Sequence, residues 1–433
     1  MSKSTRAQRG QARTNRPQRD QVEMQFLSLD QWLDKDHRVR ILWQYVQSLD
    51  LSELYQEIKA VDGKVGRNAI DPQILFALWL FATLEGISSA RRLEELTKRD
   101  IPYMWICGGV SVNYHKLADF RVANGDLLEQ LLVDSIGVLL HQNLISLETV
   151  VQDGMRVRAN AGAASFRREQ SLEEALQEAA EHVQQVKQRH QDDPSGENRR
   201  QQAAQERAAR QRHERLKRAK EELEKVKSDR VKKRRSTEDV RSSRTDPEAR
   251  RSKMANGGFS PALNVQFATD GGSRMIVAVD VLSQGSDMGQ MAPMHDKVKT
   301  TYQKTPANYL VDGAYPTIAD VTSLEAQGTE VYGPLYGEKK QLEAGQDPYA
   351  RKARDTDSMA AFRARMGTEQ AKCLYRQRPS IAEFPNADCR NRGLHQFRVR
   401  GLVKAKAQTM WHVLTFNFLR MLNLGYLEVV MRA

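Results

Sequence analysis

Apolar residues recur every three or four positions from about residue 29 to 147, and the period then falls to two. This divides the chain before any chemistry is considered. "DPQILFALWLFATLEG" predicts a helix with Asp71 as its cap, Pro72 at the first helical position and an end near Gly86. "SSARRLEELTKRD" predicts a second, capped by Ser88 or Ser89, and "GDLLEQLLVDSIGVLLHQN" a third with one face on a core. In "LETVVQDGMRVRA" (147–159) β-branched residues alternate with polar ones, which predicts a strand with Asp153 at or near its end.

From about 167 to 253 the chain is dominated by Glu, Gln, Arg, Lys and Ala. Leu172, Leu176, Ala179, Val183 and Val186 alternate steps of four and three, and Ala209, Leu216, Ala219, Leu223 and Val226 keep heptad spacing. Between them "QDDPSGEN" cannot continue a helix. An antiparallel helical hairpin is expected, ending at the basic "KKRR" (232–235); a single solvated linker is the other reading.

Strand signals resume in "PALNVQFATDGGSRMIVAVDVL" (261–282), two apolar runs around an Asp-Gly-Gly turn. A helix over 287–304, a strand "ANYLVDG", a helix "TIADVTSLEAQG" and a short strand "TEVYGP" follow. Residues 338–370 read as polar and irregular, and the C-terminal part as helical, with "TMWHVLTFNFLRMLNLGYL" buried.

Without the polar block, the order is strand, hairpin of strands, helix, strand, helix, strand, helix. A hairpin makes strand three parallel to strand one, and a right-handed helical crossover makes strand four parallel as well. If strands one and four pair, Asp153 and Asp312 meet at the same end of neighbouring strands. Alone, the Asp312-Gly313 pair is an ordinary turn signal. Two carboxylates brought together repel unless cations neutralise them, which is the requirement of a divalent metal site. A third acid would come from the helix after the last strand. Asp270, Asp280 and Asp287 read as turn, strand and helix-cap residues, and His115, His295, His395 and His412 have no partner at metal-ligand spacing.

Charge narrows the class. The 433 residues carry a net charge of +12 with a pI near 9.5, which points to a polyanionic partner, nucleic acid before an anionic membrane. The apolar run 74–84 is too short to cross a bilayer, no signal-peptide segment is read, and a cytoplasmic location is expected. Cys107, Cys373 and Cys389 have neither disulfide-framework nor zinc spacing. Residues 1–28 are expected to be a disordered basic arm.

Four segments in order resemble the DDE transposases of bacterial insertion sequences: "IDPQILFALWLFATLEGISSARRLEEL" through "SVNYHKLADFR", "DGMRVRANA", "LVDGAYP", and "YRQRPSIAE" with "LHQFRVRGLVKAKAQTMWHVLTFNFLRM". The resemblance implies a ribonuclease-H-like mixed α/β sheet with flanking helices over 148–433, interrupted by the helical insertion 167–253. An all-α DNA-binding domain over 29–147 would precede it. It implies Asp153, Asp312 and Glu383 as catalytic metal ligands, with Tyr375, Arg378 and Arg390 beside the DNA backbone. It implies two Mg2+ ions, for which Mn2+ substitutes, and double-stranded DNA as partner, both terminal inverted repeats and target. A homodimer would synapse the ends on the nucleoid, with no membrane involved.

Two departures stand out. Arg390 occupies a position usually held by Lys, and "FPNADC" replaces the usual aromatic-Gly run after the Glu. Because Pro belongs in a first turn, Pro385 places the helix start close to Glu383, with Asp388 turned toward solvent or a neighbouring Arg. The alternative function is a domesticated transposase that has lost its chemistry and acts as an architectural or regulatory DNA binder.

Overall fold

The structure is a computed structural model that describes residues 26–61, 63, 67–192, 199–254 and 256–433. Most of the expected basic arm and the turn at 193–198 lie outside the described residues.

The N-terminal helices include Arg38–Ser48, Pro72–Leu84, Ala90–Leu96, Tyr114–Ala123 and Gly125–His141. Asp71 caps Pro72–Leu84 by accepting from the Gln73 amide at 2.8 Å. Nearly every side chain of that helix is buried, which explains its unbroken apolar run. Ser89, through its hydroxyl, caps the next.

Eight strands follow among the described residues: β1 (Thr149–Arg158), β2 (Phe166–Arg167), β3 (Ser242–Ser243), β4 (Arg250–Lys253), β5 (Phe259–Asp270), β6 (Ile276–Leu282), β7 (Asn308–Leu310) and β8 (Glu330–Tyr332). β5 lies antiparallel to β1 from Val150↔Asp270 to Arg158↔Ala262. The opposite edge of β5 carries first β4 and then β6, both antiparallel. β7 and β8 extend the sheet in parallel on the far side of β1. The strand order and directions argued from the crossover rules are therefore those of the molecule. β2 and β3 form a separate two-stranded ladder at the base of the polar block.

Three local expectations need correction. Asp153 is in the middle of β1, because the antiparallel partner β5 is long enough to carry the ladder on to Arg158. Residues 250–253, hidden by composition in the polar block, join the main sheet as β4. Residues 338–370 contain the helices Glu338–Glu343 and Asp357–Met366. The second is capped by Thr356 and buries Met359, Phe362 and Met366, a spacing masked by the arginines between them.

The polar block forms helices Glu169–Asp192 and Arg199–Lys232. The ion pairs Glu178–Arg212, Glu173–Lys220 and Glu169–Lys227 show that the helices run antiparallel. Leu172, Ala179, Leu216, Ala219, Leu223 and Val240 form a small cluster of their own, apart from the main core.

The helix Leu402–Leu424 joins the halves. The Trp411 indole donates to the Arg121 carbonyl at 3.0 Å, and its ring packs 4.9 Å from that of Phe76. Farther along, Asn417 accepts from the Ile276 amide at 3.0 Å and donates to the Ile276 carbonyl at 2.7 Å, at the start of β6. Side chains of the N-terminal helices and of the sheet thus belong to one continuous core. Trp411→Ala should cost about 3–5 kcal/mol. Calorimetry should show the N-terminal helices and the sheet melting together at a lower temperature; two separated transitions would contradict the shared core.

The start of that helix makes a second prediction. Asp246 is buried and accepts from the Gly401 amide at 3.1 Å, while Glu248 accepts from the Leu402 amide at 2.7 Å. Burial, reinforced by Glu248, pushes the Asp246 carboxyl up to about 6. The folded chain therefore holds this proton more tightly than the unfolded chain does. The resulting stabilisation is present below about pH 4 and is lost as pH rises through about 6, on the order of 2–3 kcal/mol. Denaturant titrations should show wild type gaining stability relative to Asp246→Asn on acidification across this window.

Candidate active site on the first strand

Side chains of β1 alternate between the sheet faces: Val151, Asp153 and Met155 lie on one, Gln152, Gly154 and Arg156 on the other. The parallel ladder to β7 ends at Val151↔Leu310. Asp153 and Asp312 each lie two residues past that last pair, so the register brings both acids to one position along the sheet. Asp312 also does the work of a turn residue, its Oδ1 accepting from the Gly313 amide at 2.7 Å.

Asp153 is one-fifth exposed and is covered by the helix Arg378–Asn391. Arg378 Nη2 donates to Asp153 Oδ1 at 2.9 Å, and Asn386 Nδ2 donates to Oδ2 at 2.7 Å. Burial raises the Asp153 pKa, Arg378 opposes the shift, and Asp312 and Asp287 add to it. The Tyr375 hydroxyl donates to the Val311 carbonyl at 3.2 Å, next to Asp312, and burial pushes its pKa up to about 12.

The helix differs from its expected form. It starts at Arg378, with Pro379 in the first turn and Pro385 in the interior. Its buried face carries Arg378, Ile381, Ala382, Pro385, Asn386 and Cys389, the set that packs on β1 and β5. Arg378, expected beside DNA, is instead inside the protein against Asp153, because a buried carboxylate needs a cation more than an exposed phosphate does. Glu383 and Arg390 are exposed, seven residues apart on one side of the helix. Asp388 accepts from Arg392 Nε at 2.8 Å, the neighbouring-Arg arrangement expected of it.

The other face of β1 carries a polar network that the sequence did not reveal. Asp287 is not a helix cap, since the next helix is Met291–Tyr302. It pairs with Arg156 Nη2 at 2.8 Å and accepts from Asn264 at 2.9 Å and Gln266 at 2.7 Å. Its pKa is lowered, the pairing with Arg156 outweighing burial. Tyr309 donates to Gln152 at 2.9 Å and Tyr315 to Gln266 at 2.5 Å. Polar residues at alternate positions of β1 and β5 were the available signal, but they read equally as a solvated face. Asp270 is the expected turn residue, bound by Ser273. His295 and His412 are buried, His115 and His395 exposed.

Whether these residues suit a divalent cation is decided by the donors. Among the described residues no group of three or more His, Cys, Asp or Glu is gathered to hold one. Asp153 and Asp312 nevertheless supply hard oxygen donors at matched positions of neighbouring strands, near enough that Asp312 adds to the raised pKa of Asp153. This donor pair fits Mg2+ or Mn2+.

Comparison with known families agrees with the geometry. Residues 27–123 match the Transposase domain (DUF772) model, and residues 234–418 match the Transposase DDE domain model. The chain belongs to the DDE transposases. No curated protein and no solved structure matches it. The transposase's Asp312 and Glu383 fall inside the second match, while Asp153 lies between the two, separated from the rest of the sheet by the long hairpin. Among the described residues of the transposase no helix is long and apolar enough to cross a membrane.

Gly154 yields the prediction for this site. A Cβ there would overlap Gln266 Nε2 and stand 2.7 Å from Asp287 Oδ1 and 2.9 Å from Tyr315 Oη. Gly154→Ala should destabilise the transposase by about 1–3 kcal/mol in thermal melts, from overpacking alone. A neutral result would mean that the network yields to a methyl group.

Proposed function

We propose that this transposase catalyses metal-dependent cleavage of DNA at the ends of its insertion sequence and transfer of the freed strand. The observation that carries this reading is the register: Asp153 and Asp312 occupy matched positions past the end of one parallel ladder. The sheet order β6-β5-β1-β7-β8, with β5 alone reversed, supports a ribonuclease-H-like catalytic domain over 148–433.

In this reading Asp153, Asp312 and Glu383 hold the metal. Two Mg2+ ions, when bound, supply the Lewis acidity that activates the attacking water or 3′ hydroxyl and stabilises the leaving oxygen. Arg378 opposes the burial that raises the Asp153 pKa and fixes the carboxyl group under its helix. Tyr375 anchors the chain at Val311, just ahead of Asp312. Arg390, exposed on the side that carries Glu383, is free to meet a phosphate. The helices of 29–147, with the basic arm 1–28, bind terminal-repeat DNA; the 167–253 hairpin is a peripheral insertion. A homodimer brings two ends together on the nucleoid.

The full-length protein should nick terminal-repeat DNA with Mg2+ or Mn2+. Asp153→Asn and Asp312→Asn should each abolish cleavage while leaving DNA binding within a few fold. Glu383→Gln should eliminate cleavage, and Asp388→Asn, which only loosens the Arg392 contact, should not. Wild-type binding without any metal-dependent cleavage would favour the domesticated, inactive alternative, and cleavage surviving either Asp change would reject the site.

A further inference from the structure

Asn386 stands where the family pattern offers no acid, yet it touches Asp153 beside Arg378. It is 6% exposed. Its Nδ2 donates to Asp153 Oδ2, while its Oδ1 is buried with no hydrogen-bond partner among the described residues. A buried amide oxygen left without a partner is uncommon and asks for an explanation.

The orientation has a simple cause. Facing a carboxylate with no cation between them, an Asn must present its NH2, since two oxygens would repel, and the carbonyl oxygen is left over. Turning the amide over exchanges oxygen and nitrogen with little change of shape. The carbonyl oxygen then points at Asp153 Oδ2, and it is a hard donor of the kind that Mg2+ and Mn2+ accept.

Which side of Asp153 an ion takes is also fixed. Oδ1 is held by Arg378, a charge-assisted contact at 2.9 Å from a guanidinium that is itself buried. Oδ2 is held by a neutral amide, which is easier to displace. An ion would therefore displace the amide sooner than the guanidinium.

Resting on the reading of Asp153 and Asp312 as metal ligands, we propose that Asn386 supplies a further protein oxygen to the divalent cation, its amide turning over from hydrogen-bond donor to ligand as the ion binds. The residue that departs from the family pattern then belongs to the metal site, in addition to Glu383, three residues earlier on the same helix.

The test is Mn2+ binding to the full-length protein without DNA, followed by loss of the free-ion electron paramagnetic resonance signal. Asn386→Ala should weaken Mn2+ at least tenfold, and Asp153→Asn should weaken it further. Asn386→Cys places a thiol at the same position. Cd2+ added to this variant should give ultraviolet thiolate-to-cadmium charge-transfer absorption beyond that of wild type, a signature that hydrogen bonding alone does not produce. Mn2+ affinity of Asn386→Ala within twofold of wild type, with Asp153→Asn impaired, overturns the role of Asn386 and leaves the two-Asp site standing. Weakened Mn2+ without the cadmium band makes Asn386 a positioning residue and also overturns the proposal. Unchanged affinity in Asp153→Asn removes the site reading itself. If Asn386→Ala does not fold, the cadmium band of Asn386→Cys decides.

Discussion

A carboxylate buried in the middle of a strand is the constraint around which this site is built. Asp153 can be there only because Arg378 and Asn386 meet its two oxygens, and both come from one helix. Removing either partner would leave a buried charge or lone pair uncompensated, which costs several kcal/mol. The contact therefore fixes the rotation of the Arg378–Asn391 helix about its axis. It also accounts for Pro385 in the helix interior, a placement that forfeits a backbone hydrogen bond at a cost of about 3 kcal/mol. Burial of Ile381, Ala382, Pro385 and Cys389 on the same face offsets that cost.

The same helix stays in place because the next one is anchored to both halves of the molecule. Leu402–Leu424 lies against the N-terminal helices through Trp411 and against β6 through Asn417. On its buried face the Thr409 and Thr415 hydroxyls donate to carbonyls of their own helix, and Gln408 accepts from the Arg398 amide, so the segment is held by polar pairing as well as by apolar area. The proposed DNA-binding helices and the proposed catalytic sheet thus share one core. Movement of one relative to the other would have to break it.

Long periodic elements were legible in the residues. The Asp71 and Ser89 caps, the hairpin around Asp270-Gly271-Gly272 and the crossover to Leu310 are each set by local chemistry, and they were enough to bring Asp153 and Asp312 together. What could not be read depends on partners far away in the chain. The extension of β1 beyond Asp153 is imposed by β5, more than a hundred residues later. Asp287 looked like a cap because its partner, Arg156, is 131 residues distant. The start of the 378–391 helix was misjudged because a rule about proline in isolated helices was overridden by tertiary burial of Pro385.

The misreadings of β1 and of Asp287 belong to one arrangement. Gly154, which follows Asp153 directly, has no side chain, so Gln266, Asp287 and Tyr315 close over the back of β1 one residue along from where Asp153 occupies the front. Asp287 adds to the repulsion that raises the Asp153 pKa, and Arg156 holds it as a pair. Each acid on the two faces of β1 has its own arginine, Arg378 in front and Arg156 behind. Asp312, exposed at the end of the neighbouring strand, has no such arginine in contact among the described residues. The negative charge left without an arginine is therefore that of Asp312, beside Asp153 at the open end of the parallel ladder, where a cation and the phosphate it accompanies would have to enter.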